Sequence, residues 1–208
     1  MKKDSRILID FVGGETTGLQ QAKNFIHIQS SIMQYPEIRN QLDGANTSSK
    51  LSPWLACGCV SVRYVYWEIS KFEKQNGGKI KQTQFFIDHL LSRDYFYYYC
   101  LRYGIKVFGA YGLLKEPKFK WKSFKNIVFR WRSGTTGMPI VDAIMREMQI
   151  QGYISFRARQ IAASYLTLDL MQDWRFGAFF YEEQLLDYDC QLNYACWNFE
   201  AGINRDNT

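Results

Sequence analysis

Histidine is nearly absent from this sequence: His27 and His89 are the two such residues in 208. The five cysteines, Cys57, Cys59, Cys100, Cys190 and Cys196, follow no zinc-site spacing. No metal centre is therefore expected. Their odd number does not suit a disulfide framework, so buried thiols in a reducing intracellular setting are expected. Nothing in the sequence chooses between nucleus, mitochondrion and cytoplasm. No run approaches the ~20 apolar residues that a membrane span needs. The opening M-K-K-D-S-R-I-L-I-D has no cleavable signal pattern, and its acidic residues do not suit a transit peptide. No stretch alternates apolar and polar residues as a half-buried strand does, and no internal repeat is found. These absences leave a helical, all-α chain as the expected fold class.

Hydrophobic residues make up 47% and charged residues 22%, which places the chain among globular proteins rather than disordered ones. Aromatics reach 17%. Such content suits a cofactor or base-stacking surface, and equally a helical core rich in Tyr and Phe. The net charge of +6 suits an acidic partner such as nucleic acid.

Residues 1–12 read as a tail and 13–208 as one helical domain. Leu19, Ala22, Phe25 and Ile26 recur at helical spacing after Gly13 and Gly14. Polar turn formers cluster at 43–49. Ser52 and Pro53 then read as an N-cap followed by a first-turn proline. The hydroxyls of Ser48, Ser49 and Ser52 with Lys50, just ahead of a helix start, would form an anion site. The same pattern is also that of a plainly capped helix.

Further helices are expected over 53–73, 83–104, 137–149, 157–171 and 177–186, with Asp142 placed to pair with Arg146 four residues on. Within 115–132, seven basic residues interleave with five aromatics. Lys118, Lys120, Lys122, Lys125, Arg130 and Arg132 would meet phosphates there, with aromatic faces beside them for stacking. A solvated basic loop reads the same way. The stretch 131–206 carries Trp131, Trp174 and Trp197, a buried-looking Arg159, and the D-x-D of Asp187 and Asp189 followed by Asn193. An apolar helical core with a few convergent polar groups is where a large cofactor sits.

Several ordered words in the chain go further. They are W-x-x-G-x-T-G-x-P at 131–139, V-D-A-x-M-R-E-M at 141–148 and R-x-R-Q at 157–160. A-S-Y-L-x-x-D-L-x-x-D-W-R follows at 163–175, L-L-D-Y-D at 185–189 and N-x-x-x-W at 193–197. In them the chain resembles the flavin-binding domain of the photolyase/cryptochrome family, and within it the DASH cryptochromes. The resemblance implies FAD as cofactor. It assigns 48–52, Ser48, Ser49, Lys50, Leu51 and Ser52, to the loop that holds the pyrophosphate, with Tyr35 upstream and Arg39-Asn40 matching a family R-N. It places Arg93 toward the flavin, Arg159 and Asp187 as the pair beside the ring, Asp189 as the second acid and Asn193 facing flavin N5. Trp197, Trp174 and Trp131 match the family's relay of three tryptophans from flavin to surface.

Departures from the family are also visible. The Glu that contacts the lesion in repair enzymes is His89 here, and the Trp on which a damaged base packs is Ser92. Phe156 stands for an Asn near the flavin, and Ala195-Cys196 add bulk before the last tryptophan. Only twelve residues precede the family's G-G-E segment, so the chain is expected to lack the antenna domain and to be shortened at its C-terminus. Three functions follow from the resemblance. One is a flavoprotein with blue-light electron transfer through the tryptophans, with nucleic-acid binding as a residual property. The second is a deoxyribodipyrimidine photolyase, which His89 and Ser92 count against. The third is a non-catalytic subunit of a larger protein assembly, with FAD lost and the cavity empty or filled by side chains, a reading that Phe156, Ala195, Cys196 and the short C-terminus favour.

Overall fold

The computed structural model describes residues 5–7, 9–42, 44, 46–115, 117 and 119–204. Among them the chain is helical throughout, with a single isolated bridge between Lys122 and Gln172 in place of any strand. The fold is all-α, as the periodicity implies. It divides into two compact units, Met1–Asp94 and Tyr95–Thr208.

In the first unit, α1 (Glu15–Lys23) runs on into a π-helical turn, Asn24–Ile28. A 3-10 turn (Ser31–Gln34), α2 (Tyr35–Ile38) and α3 (Ser52–Ala56) follow, and then α4 (Val62–Gln75). Val65, Ile69 and Phe72 repeat every three to four residues along α4, so they form one stripe. That stripe packs with Phe25, Ile26, Ile32, Trp54 and Phe86 into the unit's core. Gly18 is needed in α1 because a Cβ there would stand 2.5 Å from Val60 Cγ2 and 2.8 Å from the Trp54 ring.

The expected single helix over 53–73 is instead two. Gly58 takes φ +73, and the Val60 N–H returns to the Trp54 carbonyl, which closes α3 after five residues. A side chain at that φ would be strained, so the glycine marks the break. Ser61 starts α4 properly, its hydroxyl accepting from the Arg63 N–H at 3.2 Å.

Helix α5 (Lys81–Tyr103) contains the point where the two units divide. In the second unit a 3-10 turn, Gly104–Phe108, leads through a loop to α6 (Lys125–Arg132) and α7 (Pro139–Gln151). Then come α8 (Phe156–Ser164) with a second π turn (Tyr165–Asp169), α9 (Trp174–Gln184) and α10 (Cys190–Glu200). Helix α8 packs against α7 and α10, and α10 against α9. Three of these helices have a side-chain oxygen at the N-cap: Ser155, Asp173 and Asp189 accept from the N–H of Ala158, Arg175 and Leu192. Each such cap stabilises by about 1 kcal/mol.

Asp142 does more than face Arg146, whose charge also favours its ionised form. It is buried, and its carboxylate accepts from the Thr136 N–H (2.8 Å), the Thr136 hydroxyl (2.6 Å) and the Gly137 N–H (2.9 Å). It fixes the T-T-G loop ahead of α7. Burial alone would push this carboxyl up, but these hydrogen bonds outweigh it and hold the acid below its usual range.

Candidate functional site

The first unit holds the serine-rich loop. Lys50 takes φ +53, a left-handed backbone that is costly for any residue with a Cβ. Leu51 after it returns to right-handed angles, φ −81 and ψ −13. Alternation of this kind turns successive N–H groups to one side, the arrangement of an anion-binding nest. The Lys50 N–H meets Ser48 Oγ and the Leu51 N–H meets Ser49 Oγ, each at 3.4 Å. The Lys50 side chain is buried, and its ammonium donates to Thr47 Oγ1 at 3.0 Å.

The expected cap at Ser52 is not formed. Ser52 is the first helical residue, Leu51 precedes it, and no side chain caps α3. A five-residue helix also has little dipole to offer, so the loop backbone supplies the donors.

Tyr35 is buried beside this loop's unit core, with its ring edge-on to Phe86 (4.8 Å), Phe25 (6.0 Å) and His89 (5.7 Å). Arg93 is half-buried on α5. His89 is fully engaged: Nδ1 meets the Phe85 carbonyl at 2.7 Å and Nε2 meets the Arg39 guanidinium. Burial and the Arg39 charge push His89 below its ordinary pKa. These contacts suit a histidine that donates from Nδ1 to Phe85 and accepts at Nε2 from Arg39, and both ring nitrogens are engaged. Ser92 is exposed and bonds back to the Asp88 carbonyl at 2.8 Å.

The second unit holds the ion pair. Arg159, in the first turn of α8, places Nη2 2.9 Å from both carboxylate oxygens of Asp187 and 3.2 Å from the Ile154 carbonyl. The side chains are 22% and 3% exposed. Burial works against the Arg159 charge, and Asp187 outweighs it, so the guanidinium is held above its usual value. Asp189 caps α10, and Asn193 sits one turn further on, its Nδ2 donating to the Ala178 carbonyl at 3.0 Å.

The three tryptophans lie in the same unit. Trp197 lies against Gly177, where a Cβ would come within 2.1 Å of its ring. Gly177 is one turn along α9 from Trp174, so the two indoles flank one helix face. The Trp174 Nε1–H donates to the Ala110 carbonyl at 3.0 Å, and the Trp121 Nε1–H donates to the same oxygen at 2.7 Å. Trp131 is 0% exposed, donates to the Ala162 carbonyl, and lies 6.3 Å from Trp197.

Residues 86–208 match the family described as the FAD binding domain of DNA photolyase. The chain belongs to this family. It is 42% identical over 203 residues to a Cryptochrome DASH of Synechocystis sp., covering 98% of this chain and 41% of that protein. With a Cryptochrome DASH of Xenopus laevis it shares 41% identity, over 98% of this chain and 38% of the relative. A solved Synechocystis sp. cryptochrome superposes with TM-score 0.93 at 41% identity, covering 100% of this chain and 42% of that one. A class III photolyase from Agrobacterium tumefaciens gives TM-score 0.79 at 29% identity, over 90% of this chain and 38% of that one. The chain thus spans about two fifths of the length of the relatives it matches.

In this photolyase-family chain two expectations need correction. Trp131, expected toward the surface, is fully enclosed. Trp121 is the partly exposed indole, and it shares an acceptor with Trp174. Its setting, K-F-K-W-K, was the available signal: an indole between lysines is nearer water than one in a helix core. Phe156 does not plug the interior either; it is 49% exposed at the start of α8. Ala195 is buried, and Cys196 is half-buried with its thiol pushed up to about 12, chiefly by burial.

Of the basic stretch, Lys120, Lys122 and Lys125 are exposed, as are Phe124 and Phe129. Arg130 donates to the carbonyls of Thr135 and Thr136, and Arg132 stacks 4.5 Å over Phe180 and pairs with Glu183. Lys118 lies outside the described residues. No helix among those described is long and apolar enough to cross a membrane.

Proposed function

We propose that this chain binds FAD and passes electrons from its surface through Trp121, Trp174 and Trp197 under blue light. The observation that carries the reading is the carbonyl shared by Trp121 and Trp174, with Trp197 seated on Gly177 one turn along α9 from Trp174. The donor set suits the cofactor. Trp197 Nε1 is buried without an acceptor, a group that a bound ligand would satisfy. Asn193 spends its amide nitrogen on Ala178 and keeps its oxygen for a protonated ring nitrogen.

In the second unit Arg159 and Asp187, with Asp189, would lie beside a flavin ring. In the first unit, taken by itself, the N–H groups of Lys50 and Leu51 with the hydroxyls of Ser48, Ser49 and Ser52 would hold a phosphate, with Tyr35 and Arg93 in the same unit. Bound FAD, once excited, supplies the oxidant. Trp197 gives up an electron, Trp174 refills it, and Trp121 refills Trp174 at the water boundary. Lys120, Lys122 and Lys125, with Phe124 and Phe129 beside them, would meet a nucleic acid.

Dimer repair is not part of this reading. Ser92 offers no stacking face, and both ring nitrogens of His89 are engaged. The exposure of Phe156 removes one support for a scaffold filled by its own side chains.

The test is the flavin absorption of the purified chain, followed by blue-light photoreduction. Trp174→Phe should abolish photoreduction and Trp121→Phe should slow it, while Trp131→Phe retains it per folded molecule. Loss in Trp131→Phe with Trp121→Phe unaffected would restore the order expected from sequence.

A further inference from the structure

Two tyrosines touch the indoles of the second unit, and their hydroxyls meet different partners. Tyr181 lies 5.0 Å from Trp197 and 6.3 Å from Trp131, ring to ring. Its hydroxyl donates to the Arg159 backbone carbonyl at 3.0 Å. A peptide carbonyl is a very weak base, so this phenol has nowhere to send its proton. Tyr194, on α10, stands edge-on to Trp174 at 5.9 Å and 81°. Its ring is buried, with Phe108 at 4.7 Å and Phe179 at 6.4 Å as its other aromatic contacts. Its hydroxyl points to the Glu182 carboxylate, 3.4 Å away on α9. Glu182 is exposed and also bonds the Tyr188 hydroxyl.

A phenol is easily oxidised only if its proton leaves with the electron, because the phenol radical cation is a strong acid. Proton transfer needs an acceptor already positioned within reach. Tyr194 has one and Tyr181 does not. Burial, then the Glu182 charge, push the Tyr194 phenol up to about 12, so at neutral pH it holds its proton until it is oxidised.

We propose that Tyr194 is a second electron donor to Trp174. One electron passes from the Tyr194 phenol to oxidised Trp174, and the phenolic proton passes to Glu182. The products are neutral Trp174, a neutral tyrosyl radical at Tyr194 and a protonated Glu182 carboxyl in contact with water. The inference takes its natural oxidant, light-oxidised Trp174, from the function proposed above. The transfer itself needs only an oxidised indole. The branch traps the oxidising equivalent inside the fold, whereas Trp121 hands it to the surface.

The test uses the full chain and azide radicals generated by pulse radiolysis, which oxidise tryptophan directly and bypass the flavin. The tryptophanyl absorption should convert in part to tyrosyl absorption. That phase should vanish in both Trp174→Phe and Tyr194→Phe, and should slow by about a hundredfold in Glu182→Gln, the loss expected when a positioned proton acceptor is removed. Tyr194→Phe removes only a hydroxyl and Glu182 is exposed, so both variants should fold, as circular dichroism will report. An unchanged tyrosyl yield in Tyr194→Phe, or an unchanged rate in Glu182→Gln, overturns the proposal. A colourless protein that still shows the Tyr194 phase would remove the flavin reading and leave this one standing.

Discussion

The serine loop of the first unit and the ion-pair centre of the second are built from different materials. The loop is made of backbone: its distinctive features are a left-handed Lys50 and two successive N–H groups that meet serine hydroxyls at 3.4 Å. The centre is made of side chains: a guanidinium, a carboxylate and large rings packed to contact. A backbone site should tolerate changes of side chain and respond to changes of φ. A side-chain site should fail when a single partner is removed.

The sharpest way to break this comparison is Asp187→Asn. It leaves Arg159 half-buried with no counter-charge, and breaking such a pair costs about 3 kcal/mol or more. Urea unfolding should show the loss, and a change under about 1 kcal/mol would mean that Ile154 and water hold the guanidinium unaided. Gly177→Ala comes next. Its Cβ would meet the Trp197 ring at 2.1 Å and Leu166 Cδ2 at 2.8 Å. Overpacking of this kind costs about 2 kcal/mol, and displacement of the indole should also shift tryptophan fluorescence.

Lys50 tests the other side. Lys50→Ala and Lys50→Gly both lose the bond to Thr47, but only glycine relieves φ +53. Thermal melts should place the glycine variant above the alanine variant by about 1 kcal/mol. Equal melts would mean the left-handed turn carries no strain.

The smallest effect is on pH dependence, and each unit supplies one acid. In the first, burial would raise Glu68, but Lys71 at 2.6 Å and His27 at 3.0 Å outweigh it and hold it low. In the second, Asp142 is held low by the Thr136 and Gly137 donors. A carboxyl depressed in the folded state adds stability that is fully present above its unfolded pKa of about 4 and is lost as pH falls through the lower native value. Glu68→Gln and Asp142→Asn should each lower stability at pH 7, with the deficit shrinking below about pH 4. A deficit constant down to acid pH would assign these residues a packing role instead.

The sequence showed helices where periodicity and capping coincide, as at α4's apolar stripe and at Pro139. The resemblance placed Arg159 and Asp187 together, and the structure pairs them, as a buried charge requires. The sequence did not show the break at Gly58, since a lone glycine in an apolar run is compatible with a continuous helix. Asp142 looked like a partner for Arg146 because helical spacing is visible in one dimension, while the loop folding back onto it is not. The depths of Trp131 and Trp121 were hidden for a similar reason. A tryptophan's identity is written in the chain, but its depth depends on which helices close over it.

The bridge between Lys122 and Gln172 has a kinetic consequence. The Lys122 N–H donates to the Met171 carbonyl at 2.8 Å, the Asp173 N–H returns to the Lys122 carbonyl at 2.9 Å, and the Phe124 N–H meets the enclosed Gln172 side chain at 2.8 Å. These three amides belong to an irregular segment yet should exchange with deuterium as slowly as a helix interior. An aromatic ring mounted on such a clasp can sit at the water boundary without wandering there.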